Sequence, residues 1–224
     1  TGKGEFKTGR LQLVYARQYN MRLEYDKHKP LNDSLAALNL PELKYEITTH
    51  TADLIWDHGM KGRFNGSVGL SGMFQENTYE GRYFIPNYRN QTAGVFWIER
   101  MRIDSTLTLE AGVRGDFKHL QIFKWENNVI ISPVHQFSNI SGTLGAVWRI
   151  REHFHLLVNA GSAWRAPGVH ELYSNGLHHG AAAVEVGDRT LTTEKAYSAV
   201  ATLNYHDHKN IEAEVSAYYM LFDG

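Results

Sequence analysis

The sequence predicts an all-β fold, an antiparallel meander of about nine long strands, and three observations carry that expectation. Apolar residues recur with a period of two over runs of ten residues or more, the signature of half-buried strands. The connections between these runs alternate between short and long. Twenty glycines against five prolines, with 12% aromatics, lean towards β structure, and no stretch of eighteen apolar residues offers a membrane-spanning helix.

The strands are expected at 10–26, 37–57, 62–77, 91–102, 105–124, 137–150, 153–165, 193–206 and 210–222. In the third, Phe64, Gly66, Val68, Leu70, Gly72 and Phe74 lie on one face, against Asn65, Ser67, Gly69, Ser71, Met73 and Gln75. The fifth places Leu107, Leu109, Ala111, Val113, Gly115 and Phe117 opposite Thr108, Glu110, Gly112, Arg114 and Asp116. The seventh places Phe154, Leu156, Val158, Ala160, Ser162 and Trp164 opposite His155, Leu157, Asn159, Gly161, Ala163 and Arg165. The last gives Ile211, Ala213, Val215, Ala217, Tyr219 and Leu221 against Glu212, Glu214, Ser216, Tyr218 and Met220. The fourth strand is ambiguous, because Glu99 shares a face with Val95 and Trp97.

Aromatic residues close the apolar faces at both ends. Ten residues at ~3.3 Å each, tilted by about 40°, rise roughly 25 Å, the height of the apolar band of a membrane β-barrel between its two aromatic girdles. Strands of a soluble sandwich usually run about five or six residues. The expected long connections are 27–36, 78–90, 125–136 and 166–192, and the short ones are 58–62, 104–105, 151–152 and 207–209. Such alternation suits a barrel with short turns at one rim and long loops at the other. Nine is an odd number, and both outer strands would be open edges, so the chain reads as a piece of a larger barrel.

Other classes are disfavoured. The net charge of −1 comes with scattered signs and no basic block, which argues against a nucleic-acid partner. The absence of cysteine removes disulfide frameworks, thiolate zinc sites and thiol catalysis. No nucleophile-elbow, His-Glu-x-x-His or complete phosphate-loop pattern occurs, so an enzyme is not expected.

The segments "WRAPGVHELYSNGLHHG" and "GDRTLTTEKAYS" closely resemble the late barrel region of TonB-dependent outer-membrane receptors. In that family an aromatic-Arg-Ala-Pro strand end leads through a long extracellular loop to an Asn-Pro-x-Leu-x-Pro-Glu return. Trp164-Arg165-Ala166-Pro167 matches the first element; in the return, Leu191 and Glu194 match while both prolines and the asparagine are missing. "YNMRLEYD", "FIPNYRNQTAGVFWIE" and "LEAGVRGD" resemble earlier strands in the same order. The resemblance implies part of a 22-stranded transmembrane β-barrel in the bacterial outer membrane, with 1–224 a partial barrel domain lacking the plug and the closing strand. It further implies partnership with the receptor's own plug domain, the TonB complex and the lipid bilayer, and a metal-chelate ligand as cargo: an iron–siderophore or haem, with no intrinsic cofactor. A passive porin-like barrel and a soluble antiparallel β binding module are the alternatives.

Within this frame the candidate ligand-binding residues are His170, Glu171, His178, His179, Glu185 and Asp188 in the long loop. Imidazole with carboxylate suits a transition metal, and a loop histidine can ligate haem iron. His178 and His179 are the metal candidates, although neighbouring histidines converge only in a turn. The competing reading is a solvated loop rich in polar residues. Glu110, Arg114, Asp116, Arg165, Glu212 and Glu214 are expected to face the lumen or the plug, with Trp164 at the outer girdle. His153 and His155, two apart on one strand, are more simply rim residues, and His206-Asp207-His208 a polar turn.

Overall fold

A computed structural model of the chain describes residues 1–25, 40–59, 62–178, 183–207 and 211–223. Nearly all of it is antiparallel sheet. In chain order the elements are β1 (Gly2–Phe6), β2 (Gly9–Glu24), β3 (Leu43–Asp57), β4 (Phe64–Gly81), β5 (Asn87–Arg102), β6 (Leu107–Glu126), β7 (Val129–Ile131), β8 (Val134–Arg151), β9 (Phe154–Arg165), a short helix α1 (Val169–Tyr173), β10 (Asn175–His178), β11 (Ala183–Val186), β12 (Glu194–His206) and β13 (Glu212–Asp223). The main sheet runs β1-β2-β3-β4-β5-β6-β8-β9-β12-β13, a meander in which β7 pairs antiparallel with the end of β6 and the β10–β11 pair lies between β9 and β12 in the chain.

The nine expected strands are all present, and β1 is an addition. Its one large apolar side chain, Phe6, meets Trp56 with the ring centroids 5.6 Å apart and the planes tilted by 50°. With Gly2 and Gly4 beside Lys3 and Glu5, the segment shows no alternation of polarity that would mark a strand.

Two of the expected long connections prove to be mostly strand. β4 and β5 run on until only residues 82–86 join them, and β6 continues to a two-residue turn at Asn127-Asn128. Both asparagines take positive φ, 51° and 64°, as a tight hairpin turn matching the sheet twist requires. Pro133, which has no N–H for the ladder, separates β7 from β8 and accepts instead from Ile122 N–H at 3.0 Å. The long 166–192 connection stands, but it is folded rather than open. The 27–36 connection lies outside the described residues.

The register joins the apolar faces into one belt. Leu13 pairs with Leu54, Leu54 with Leu70, Leu70 with Val95, Val95 with Gly115, and Gly115 with Ile140. These side chains are exposed, with Leu70 at 56%, Leu144 at 68% and Ile140 at 74% of full accessibility. Towards the short-turn rim the belt ends in Trp56, Phe64, Trp97, Trp148 and Phe154. Glu99 does face outward there, where its Oε2 meets His58 Nε2 at 3.1 Å and accepts from Trp97 Nε1 at 3.3 Å.

Beyond Phe74 and Phe117 the amphipathicity of β3 to β6 inverts. The outer face turns polar with Glu46, Glu76, Arg89 and Gln121, while the inner face turns apolar with Leu43, Tyr45, Tyr88, Leu120 and Ile122. Those inner residues are the buried ones: Leu43 is 1% exposed, and Leu120 and Ile122 are fully covered. The hydrophobic core therefore sits at the long-connection rim, on the inner face, beneath the segment that follows β9.

Candidate functional site at the long-connection rim

That segment turns inward. Val169, Leu172 and Tyr173 of α1 pack on Tyr88, Leu120 and Ile122, with Ile85 at the edge. At roughly 1.5–3 kcal/mol for each well-buried large apolar side chain, this contact outweighs any single polar bond nearby. The signal was present in the sequence: above Asp116 the polar face of β6 becomes Leu120 and Ile122, apolar residues with no role on a wetted surface.

Polar latches fix the entry and exit of the loop. Arg165 Nη1 donates to both Glu171 oxygens at 2.8 and 2.7 Å, and Nη2 donates to Glu194 at 2.9 Å. Glu171 Oε2 also accepts from Gly168 N–H at 2.6 Å, closing the first turn of α1. The Gly168 amide and then Arg165 hold this carboxyl below the usual glutamate range. Lys118 Nζ donates to the Pro167 carbonyl at 3.0 Å. Asp188 Oδ1 accepts from Thr190 N–H and Oγ1 at 2.8 and 2.6 Å, which lowers its pKa, and Asp188 N–H donates to Glu171 O at 2.8 Å.

The 82–86 connection meets the loop from the other side. Tyr83 Oη donates to Tyr173 O at 3.1 Å, Asn175 N–H to Phe84 O at 3.0 Å, and Arg82 Nη1 to Leu177 O at 2.9 Å. Burial pushes the Tyr83 phenol up to about 12, so it remains a donor across the physiological range. His135 Nε2 lies 2.7 Å from Tyr173 Oη, and the Arg189 guanidinium sits 5.2 Å above the Tyr173 ring. None of Tyr83, Arg82, His135 and Arg189 stood out in the sequence, because their partners lie tens of residues away.

The expected loop residues thus separate by role. Glu171 and Asp188 are engaged in holding the loop together, and His170 is exposed on α1. His178 and Glu185 come together across the β10–β11 hairpin, Nδ1 to Oε1 at 2.7 Å, with the imidazole 5.2 Å from the Phe84 ring. His179 lies outside the described residues. Among the described residues no three His, Asp or Glu side chains gather as a metal would require.

The expected lumenal charges share the inner face. Arg114 pairs with Asp116 at 2.6 Å, donates to Ser71 Oγ at 2.7 Å and lies over the Phe96 ring at 5.9 Å. Glu110 pairs with Arg100 at 2.7 Å and Glu212 with His206 at 2.9 Å, while Glu214 is exposed on the outer strand β13. Trp164 departs from its expected place at the outer girdle. Above Gly161 β9 no longer pairs with β8, and the indole N–H of Trp164 reaches Asp116 Oδ2 at 3.4 Å instead.

An outward apolar belt, a polar inner face and a loop folded over one mouth define a membrane β-barrel of the receptor type. The chain belongs to the TonB dependent receptor-like, beta-barrel family, whose profile matches residues 4–224. The family sits in the bacterial outer membrane, and its members are receptors rather than enzymes.

Among solved structures, the copper transporter OprC superimposes with a TM-score of 0.70 at 15% identity, over 96% of this chain and 36% of that one. The FrpB iron transporter from Neisseria meningitidis gives 0.66 at 15% identity, over 97% and 34%. The Serratia marcescens hemophore receptor HasR, solved as a double mutant with its hemophore HasA and heme, gives 0.61 at 16% identity, over 97% and 41%. The chain thus spans little more than a third of the length of these relatives. No curated protein sequence matches.

Proposed function

We propose that residues 1–224 form part of the barrel of an energised outer-membrane transporter that takes up a metal chelate, an iron–siderophore complex or haem, working with a plug domain and the TonB complex. The observation that carries this reading is the family match over 4–224, joined to a long loop folded inward across the barrel mouth. The relatives named above are described as transporters of copper and iron and as a receptor bound to a hemophore and heme, which favours a metal-containing cargo. A soluble binding module has no use for a belt of exposed leucine, isoleucine and valine.

The test is uptake by cells carrying the full-length protein. Iron supplied as a ferric siderophore or as haem is expected to accumulate only while the proton gradient is intact. Uptake that persists after an uncoupler is added indicates a passive barrel and overturns the proposal.

Within this function we assign the cargo contact to His178, with Glu185 beside it, and include His179 by its place next in sequence. With its Nδ1 held 2.7 Å from Glu185 Oε1, the His178 imidazole leaves Nε2 to meet a ligand. In full-length protein, His178→Ala/His179→Ala is expected to weaken haem binding and alter the Soret band. Unchanged binding and spectrum remove the histidines from the site.

A further inference from the structure

One histidine at the long-connection rim has no place in the cargo contact. His135 stands half-buried on the inner face of β8, opposite Leu120 and above the apolar belt. Its Nε2 lies 2.7 Å from Tyr173 Oη, with the two rings edge to face at 5.6 Å, and its ring lies parallel to Phe137 at 6.2 Å. The inward loop is therefore held to the barrel wall at its most buried tyrosine by a group that titrates near neutrality.

The cations around His135 stand free to oppose a further positive charge. Lys118 of β6 sits 5.9 Å from the Phe137 ring centroid and donates to Pro167 O, and Arg189 of the return segment lies over the Tyr173 ring. The carboxylates of the neighbourhood are engaged: Glu126 by Arg189 and Lys124, at 3.4 and 3.8 Å, and Glu171 by Arg165. From α1 the titratable group that meets His135 is Tyr173, whose phenol burial raises, so it keeps its proton. Whichever tautomer the neutral imidazole adopts, Nε2 and Tyr173 Oη share one proton. A second proton on the ring adds a cation to Lys118 and Arg189 in a half-buried setting, where charges interact more strongly than in water. Burial, and then the Arg189 guanidinium, hold the His135 pKa below the usual 6.5.

We propose that His135 makes the docking of the inward loop sensitive to pH: neutral, it holds Tyr173 and the loop over the mouth, and protonated, it releases them, so that the mouth opens as the surroundings acidify. The proposal deepens the transporter reading and rests on it for the meaning of the loop as a cover over the cargo path. The sign follows from the lowered pKa. The contribution of His135 to docking is complete above 6.5 and is lost as pH falls through the lowered value. Glu171 and Asp188 titrate below 4.5 and 3.8, so neither acts between about pH 5.5 and about pH 7.5.

Hydrogen exchange at the Leu172 and Ser174 amides, which donate to Gly168 O and His170 O, tests it in the full-length protein, with rates corrected for the intrinsic effect of pH. Protection is expected to fall about fivefold between about pH 7.5 and about pH 5.5. His135→Gln keeps a hydrogen-bonding side chain that does not titrate, and it is expected to hold the protection of neutral pH throughout. Arg189→Gln removes one opposing cation and is expected to move the midpoint of the response upwards, which a merely structural role for His135 would not do. If His135→Gln lowers protection already at neutral pH, His135→Asn replaces it, and if both do, the Arg189→Gln midpoint decides. A flat response in the unaltered protein, an undiminished response in a docked His135 variant, or an Arg189→Gln midpoint that stays or falls overturns the proposal. Loop release in acid without energised uptake at any pH upholds the switch and counts against the transporter reading.

Discussion

Arg165 holds the two ends of the inward loop in one guanidinium, with Glu171 on one side and Glu194 on the other. Its side chain is 52% exposed, so each pair contributes about 1 kcal/mol or less. The consequence is local. Arg165→Ala is expected to speed hydrogen exchange at the Leu172 and Ser174 amides by about fivefold while leaving the strands unchanged, and Arg165→Lys to recover only part, since an ammonium lacks the fork. Exchange mass spectrometry reads both. Glu171 adds a pH dependence of definite sign. Its folded pKa lies below the usual 4.5, so its contribution is fully present above that value and is lost as pH falls through the lowered one. Asp188 behaves alike from its usual 3.8. The loop should therefore loosen in acid and not towards neutral pH, and exchange at the same amides across an acid series checks it; loosening on the alkaline side of neutrality would contradict the assignment.

At the scale of elements, α1 and the strand that returns over it meet backbone to backbone. Gly187 N–H donates to Ser174 O at 2.8 Å, and a Cβ at Gly187 would lie 2.5 Å from Tyr173 N and 2.6 Å from Leu172 C. Neither atom can swing aside as a side chain would. Gly187→Ala is expected to lift the return segment off α1 and raise exchange at Gly187-adjacent amides about tenfold, near 1.4 kcal/mol, with the β2–β9 strands unaffected. Most of the strands were legible because the alternation is local: Phe64 to Phe74 and Phe154 to Trp164 announce themselves within one window. β1 was not, since glycine, lysine and glutamate carry no apolar period. Nor was the docking of the loop, because Leu120, Tyr83 and His135 find their partners across 38 to 90 positions of sequence or across strands. The polarity switch on β6 above Asp116 was a local trace of it. Of the candidate site, the pairing of His178 with Glu185 follows from a hairpin that the Ala-rich run did not suggest, and the bonds of Glu171 to Arg165 and of Asp188 to Thr190 depend on turns that the loop takes only once folded.

For the molecule as a whole, the decisive property is that its two faces answer to different solvents, and that division makes the final prediction. Leu144 lies midway along the outer face of β8, between Ile140 and Trp148, and is 68% exposed. Gln18, on the inner face of β2 beside Thr49, is also exposed. In water the two positions would tolerate a charge equally. In a bilayer they cannot: an arginine at mid-belt must lose hydration or drag water and headgroups inward, at about 2–4 kcal/mol, whereas a lumenal arginine stays wet at little cost. Leu144→Arg in the full-length protein should lower its folding stability in lipid by that amount, read from denaturant titrations of barrel folding into vesicles, and Gln18→Arg should leave it within about 0.5 kcal/mol. The asymmetry should follow depth, so a charge at Trp148, nearer the girdle, costs less than one at Leu144. Equal effects at Leu144 and Gln18 would mean that the outer face is covered by protein or water rather than lipid, and the assignment of the two faces would fall with it.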